Sequence, residues 1–230
     1  RSSWVTGVQT CALPILTRGN GSVGTDITHL ASAIDGVPIQ ISEPGHLVIR
    51  GEALITYKDF ETFLLESEET YANPRNLASG SLSLKDIDEV RRRHLQWIPF
   101  TLVHLDREMI SWGARMDYLA SLGFHPVERE RLQADTLGDG IARWSEQISK
   151  GAIPYPVDGL VMTYDDTDYA QTGSVTGHHA TRAGLAFKWQ DTSADSILTG
   201  IEWSCAASTI TPVAIFEPVA LEGKIGRAHV

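Results

Sequence analysis

A chain of 230 residues with 42% hydrophobic side chains is long enough for one large domain plus part of another, and it can bury a substantial core. Its formal charge of −10 excludes a generally basic nucleic-acid binder, so any hold on a polyanion has to come from local arginine and lysine clusters. Of its 2 cysteines, Cys11 falls in a head that reads as foreign, and Cys205 alone can form neither an internal disulfide nor a zinc site, which suits a reducing, cytoplasmic setting.

The two ends read as one foreign sequence. If the tail Ile225-Gly226-Arg227-Ala228-His229-Val230 is written ATC GGA AGA GCA CAC GTC, the opposite strand shifted by one base encodes Thr-Cys-Ala-Leu-Pro and begins an Ile codon. That peptide stands at Thr10-Cys11-Ala12-Leu13-Pro14-Ile15. Residues 1–15 and 224–230 are therefore excluded from fold reasoning as adapter-derived. They are expected to lie loosely against the rest, with Trp4, Cys11 and Leu13 outside the core. A short targeting segment does not fit, because the run before Thr17 has no lysine-rich start and no sustained apolar core. No apolar run reaches membrane-spanning length.

In chain order, apolar residues at helical spacing mark 26–34, 57–65, 85–93, 112–122 and 137–148 as helices. Between and after them, β-branched and aromatic runs mark 46–56, 97–105, 157–164, 184–189 and 210–219 as strands. The order is irregular and without repeats, which points to an α+β fold of mixed or antiparallel sheets with helices. The polar residues 193–195 precede a new strand-rich stretch. The expected organisation is one domain over 16–195 and the first strands of a second over 196–223.

Some motifs mislead. Gly19-Asn20-Gly21-Ser22-Val23-Gly24 fits a dinucleotide fingerprint literally, but the buried strand that must precede it is missing; a glycine-rich turn beside a phosphate, with Arg18 supplying charge, suits it better. His178-His179 after Asp165, Asp166 and Asp168 suggests a metal hydrolase, yet neighbouring residues of an extended chain point to opposite faces. The acidic run also lacks the glycine and final glutamate of a calcium loop. No Gly-x-Ser-x-Gly elbow supports a serine hydrolase. More informative are the charges lodged in apolar strands. Glu52 alternates onto one face with Arg50 and Leu54, Lys188 follows Leu185-Ala186-Phe187, and Asp158 opens Val157-Asp158-Gly159-Leu160. Such charges are costly in a strand unless paired or turned toward a ligand, so together they suggest a polar cleft between sheets.

Taken in order, these segments resemble the NAD-dependent DNA ligases of bacteria. The likeness rests on Thr17-Arg18-Gly19-Asn20-Gly21 with Gly24-Thr25-Asp26, Arg50-Gly51-Glu52, and Ala72-Asn73-Pro74-Arg75-Asn76 with Gly80-Ser81-Leu82. It continues through Pro154 to Asp158-Gly159, Ala186-Phe187-Lys188, Thr211-Pro212-Val213-Ala214 and Glu217-Pro218-Val219. The resemblance implies an adenylation (nucleotidyltransferase) domain up to about residue 191, followed by the opening strands of an OB-fold. It implies a chemistry in which a lysine amine attacks the α-phosphate of NAD, releases nicotinamide mononucleotide and holds AMP as a phosphoramidate. The AMP then passes to the 5′-phosphate of nicked duplex DNA, and the 3′-hydroxyl displaces it, with Mg2+ sharing the phosphate charge. By the same likeness Arg18, Glu52 and Lys188 contact the nucleotide and share one cleft, while Arg75, Asp158 and Lys150 serve the DNA strand or the cleft. A monomer is implied, and the family's zinc site lies outside this stretch.

Departures from the family pattern are specific. No Lys-x-Asp-Gly segment, the family's nucleophile, occurs anywhere in the 230 residues, and the place before Arg18 is taken by the foreign head. Thr163 and Ser83 stand where the family usually has cations, a change that fits either a lineage with charge elsewhere, on Lys85 or Lys150, or a weakened enzyme. The leading expectation is thus an inactive fragment of a ligase. Its rival is a non-catalytic DNA-binding remnant of the same fold, and the native upstream sequence separates the two.

Overall fold

The computed structural model describes residues 14–19, 22–43, 45–172, 184–189, 195–206, 209–218 and the pairs 220–221, 224–225 and 228–229. They fall into two compact units, one ending at Phe187 and one beginning at Lys188. Trp4, Cys11, Leu13, Asn20, Gly21, His178 and His179 lie outside the described residues.

The first unit is organised by a long antiparallel ribbon of β1 (Leu47–Leu54) and β2 (Gln96–Leu105). Alternation along β1 is clean at its centre: Val48, Arg50 and Glu52 are exposed, whereas Leu47 is buried and Ile49, Gly51 and Ala53 are half-buried. Register shifts between Val48 and Ile49 and between Arg50 and Gly51 twist the ribbon, leaving Glu52 opposite Ile98 and Arg50 opposite Thr101. The covered face packs on two hydrophobic clusters. One contains Leu30, Ile55, Leu77, Val90 and Leu95, and the other Leu47, Leu102, Met116, Leu119 and Phe124; Trp97 touches both.

Helices start where the sequence supplies a side-chain acceptor. Thr56 caps α1 (Tyr57–Glu66), accepting from the Asp59 amide. Asn73 caps α2 (Pro74–Ser81), which has proline in its first turn, and Asp86 caps α3 (Ile87–Arg92). Ser111 caps α4 (Trp112–Ser121), and Asp166 caps the short α6 (Thr167–Gln171). α5 (Leu137–Ser149) is the longest helix among the described residues. A small antiparallel pair, β3 (Leu160–Met162) with β4 (Leu185–Phe187), completes the unit.

The second unit is a hairpin of β5 (Leu198–Ala206) and β6 (Thr209–Phe216), with β7 (Ala220–Leu221) pairing β8 (Lys224–Ile225). A two-residue strand, β9 (Ala228–His229), pairs with β6 at Val213 and Ala214. Parts of both foreign-looking ends are therefore engaged with their neighbours. Ile15 packs on the first cluster and its carbonyl accepts from the Ile27 amide at 2.8 Å, while β9 lies within the tail.

These helices and small antiparallel sheets agree with the expected α+β class. Segment 26–34, expected to be helical, forms a 3-10 helix over Thr28–Ala33 only. α2 and α6 were not among the expected elements, and β5 falls in the stretch 196–223 that was expected to be strand-rich without a strand being placed there. No helix among the described residues is long and apolar enough to cross a membrane.

One carboxylate ties the α6 region to α4. Asp165 accepts from the Gly113 amide at 2.8 Å and from the Ser111 hydroxyl at 2.9 Å, with Arg131 at 3.4 Å. The Gly113 amide is the main reason its pKa sits below the ordinary 3.8; the Ser111 hydroxyl and Arg131 add to the shift, and partial burial opposes it. A depressed carboxyl contributes stability above its unfolded pKa and loses it as pH falls through the folded one. Asp165→Asn is expected to lower stability by about 1–2 kcal/mol at neutral pH. In urea titrations at a series of pH values, the gap between variant and parent should narrow as pH drops below 3.8; a gap independent of pH would refute the assignment.

Candidate functional site

The residues marked by sequence are placed on the surface of the two units. Arg18 is exposed in the turn after the Leu16–Asp26 bridge, where Thr17 and Thr25 exchange backbone and hydroxyl bonds near 2.9 Å. This loop is not a dinucleotide fingerprint: Leu16 makes an isolated bridge, and the next element along the chain is a 3-10 helix rather than a long α-helix. Gly19 has a left-handed φ of 51°, and a Cβ there would meet the Val23 carbonyl oxygen at 1.7 Å, so the tight turn requires glycine.

Glu52 and Arg50 share the open face of the β1–β2 ribbon, as alternation predicts. The expected burial of these charges is not found: Glu52, Lys188 and Asp158 are all exposed, so no desolvation cost has to be met by a partner. Between them, Gly51 lies beneath the Trp97 indole; a Cβ would come within 2.6 Å of Cε2 and Nε1. The glycine lets the tryptophan close over the strand while Arg50 and Glu52 point the other way.

Arg75 and Asp158, assigned separately to the DNA strand and the cleft, are brought together. Their charged ends lie 3.6 Å apart with both side chains more than half exposed. Arg75 stands in the first turn of α2, directly after the Asn73 cap and Pro74, and Asp158 stands just before β3. Lys150 follows α5 and pairs with Glu146 at 2.6 Å. Ser83 and Thr163, the positions that depart from the family pattern, are exposed. Lys188 is exposed at the start of the second unit.

Sequence reasoning missed Arg93. Its side chain is 1% exposed, yet its guanidinium meets Glu69, Glu89 and the Tyr71 hydroxyl at 3.0–3.2 Å. In the run Arg91-Arg92-Arg93 nothing sets the third arginine apart, because Tyr71 and Glu69 lie more than 20 residues away.

Comparison with known proteins decides the family. The model of the NAD-dependent DNA ligase adenylation domain matches residues 7–192. The chain belongs to that family. It is 37% identical over 215 residues to a DNA ligase of Lachnoclostridium phytofermentans, covering 90% of this chain and 32% of the relative. Against a DNA ligase of Ruminiclostridium cellulolyticum the identity is 35% over 222 residues, covering 94% and 33%. A DNA ligase of Chlorobaculum tepidum is 32% identical over 224 residues, covering 91% and 33%. The chain spans about a third of the length of the curated relatives it matches. The family match begins at residue 7, inside the foreign-looking head.

Within this adenylation domain, the Gly51–Trp97 contact makes a direct test of how the ribbon presents Glu52. Gly51→Ala must displace the indole or the strand, and overpacking of this kind costs about 1–3 kcal/mol. Thermal unfolding should show a clear loss, and Trp97 fluorescence should shift. An unchanged melting temperature and spectrum would mean that the indole does not close over Gly51.

Proposed function

We propose that this chain is part of an NAD-dependent DNA ligase whose parent protein seals nicks in duplex DNA by way of an adenylated lysine, and that the chain as written cannot carry out the first step. The observation that carries the reading is membership of the adenylation-domain family over most of the chain. NAD is the adenylate donor by that membership, and DNA the class of substrate.

In this reading Arg18, Glu52 and Lys188 serve the nucleotide. The guanidinium and ammonium offset negative charge on the phosphates, and the Glu52 carboxylate accepts from ribose hydroxyls. The exposure of Arg18 and Glu52 supports it, since a group that receives a ligand has to be reachable. Arg75 and Asp158 form a second group, in which the arginine binds a phosphate of the DNA strand and the aspartate, its partner while the strand is absent, organises the cleft. Lys150 is assigned to the same surface. Residues 16–195 form the adenylation domain, and the β5–β6 hairpin is the start of an OB-fold, read from Thr211-Pro212-Val213-Ala214 in β6. Head and tail outside 16–223 remain adapter-derived in this reading.

Mg2+ belongs to the proposed reaction but finds no protein cage here. Among the described residues no group of three or more His, Cys, Asp or Glu side chains could hold a metal ion. A magnesium in this reaction would be held by phosphates and water. The metal-hydrolase reading gains no support from the described residues, and its His178-His179 pair lies outside them.

Covalent catalysis needs an amine beside the α-phosphate, and proximity supplies much of the rate. Lys58, Lys85, Lys150 and Lys188 sit in segments other than the Lys-x-Asp-Gly that the family uses. Incubation with NAD and Mg2+ followed by intact-mass spectrometry is expected to show no AMP adduct on the chain as written. Extending it with the native segment upstream of Thr17 should make the adduct appear. A stable adduct on the unextended chain would place the nucleophile elsewhere, and none on the extended chain would favour a non-catalytic remnant.

A further inference from the structure

Arg93 is the one charged side chain among the buried residues of the described structure, and the proposed chemistry does not use it. Its guanidinium donates to both Glu69 carboxylate oxygens at 3.0 and 3.2 Å and to the Tyr71 hydroxyl at 3.1 Å. It also donates to Glu89 at 3.2 Å. It lies 5.1 Å from the centre of the Phe63 ring and 5.6 Å from that of Tyr71. The Tyr71 hydroxyl in turn donates to Glu69 at 3.0 Å. One side chain thus fixes both anchor points of the segment that leaves α1 and enters α2.

That segment decides where Arg75 stands. Two residues after Tyr71, Asn73 caps α2 through the Asn76 amide at 2.9 Å, and Arg75 stands in the first turn. The Tyr71 ring also lies against the far part of α2, where a Cβ on Gly80 would meet its Cε1 at 3.2 Å. Tyr71 therefore holds α2 from the side while its backbone feeds the helix start. A guanidinium suits this role because its planar fork bonds several acceptors in fixed directions while its faces stack on rings. A lysine could keep the charge but neither the fork nor the stacking.

We infer that Arg93 is a positioning residue for Arg75, setting through Glu69 and Tyr71 the direction in which α2 presents its first-turn guanidinium to a nucleic-acid phosphate. The inference rests on the proposed role of Arg75. A buried arginine that only stabilises the fold would alter melting and leave the phosphate contact of the folded protein unchanged. A positioning arginine alters both, and its effect on binding passes through Arg75.

The test is a double-mutant cycle on this chain. Arg93→Lys, Tyr71→Phe, Arg75→Ala and the two pairings with Arg75→Ala would be compared for thermal midpoint and for affinity to a fluorescent nicked duplex at low salt. Tyr71→Phe guards against a fold too damaged to read, because it keeps the ring against Gly80 and removes only the hydroxyl. Arg75→Ala should weaken binding about tenfold or more, as expected for one charged hydrogen-bonding contact. Arg93→Lys and Tyr71→Phe should each weaken it in the Arg75 background and change nothing once Arg75 is alanine, although Arg93→Lys still lowers the melting temperature. If Arg93→Lys leaves binding intact, or weakens it equally with and without Arg75, its role is structural and the inference fails while the assignment of Arg75 survives. If Arg75→Ala binds like the parent chain, that assignment fails and the inference falls with it.

Discussion

The fit of Trp97 over Gly51 is the contact on which the rest of the first unit depends. Trp97 is the second residue of β2, and it touches both hydrophobic clusters, so it joins what would otherwise be two small cores. Its amide donates to the Asp35 carbonyl at 2.8 Å, and its ring meets Phe124 edge-on at 5.9 Å. These contacts need the indole flat on the strand, and only a residue without a Cβ leaves room. Because β1 alternates, a covered Gly51 sends Arg50 and Glu52 to the open face. Core packing and the presentation of the candidate site thus come from one constraint.

Much of this was legible in the sequence, and the failures have physical causes. The strands at 46–56 and 97–105 and the helices at 57–65, 112–122 and 137–148 could be read because each has a clear period and a boundary residue. α2 carried its own start signal in Asn73-Pro74, yet its interior Pro-Arg-Asn-Leu-Ala-Ser-Gly-Ser is too polar and glycine-containing to show an apolar stripe. β5 was covered only by the general expectation of strands over 196–223, although Gly200, Glu202 and Ser204 alternate with Ile201, Trp203 and Cys205 at the period of a strand. Segment 26–34 has helical spacing, but the Asp26 side chain is bonded to the Thr28 amide and hydroxyl, and the chain tightens to 3-10 geometry.

The sequence offered a set of candidate residues, and the environment of each came only with the fold. A charge in an apolar strand reads as buried when the chain is seen alone, because period and burial cannot be told apart in short runs. In β1 the alternation already implied the answer, since a residue between two covered ones faces out. The pairing of Arg75 with Asp158 could not be read, for it joins a helix start to a strand start more than 80 residues later. The burial of Arg93 is the same problem reversed: charge and helix-end position both argue for solvent, and only the fold supplies the acidic and aromatic cage.

These pairings explain how an acidic chain could still meet a polyanion. Arg75, Arg91, Arg92, Arg129, Arg131 and Arg143 each already sit on a carboxylate, and most of those side chains are well exposed. An exposed pair contributes less than about 1 kcal/mol, so exchanging its carboxylate for a phosphate costs little. A phosphate contact with Arg75 is then a substitution of one anion for another rather than the creation of a new charge pair. The chain as a whole stays negative at −10, and salt weakens an arginine's hold on either kind of anion. Arg93 does not belong to this exchangeable set. Its fork is held by Glu69, Glu89 and the Tyr71 hydroxyl, so losing the hydroxyl leaves both carboxylates in place, whereas losing both carboxylates would strand a charge away from water at a cost of about 3–5 kcal/mol. The same residue type therefore does opposite work on this domain: arginines at the surface can trade partners, and the buried one cannot.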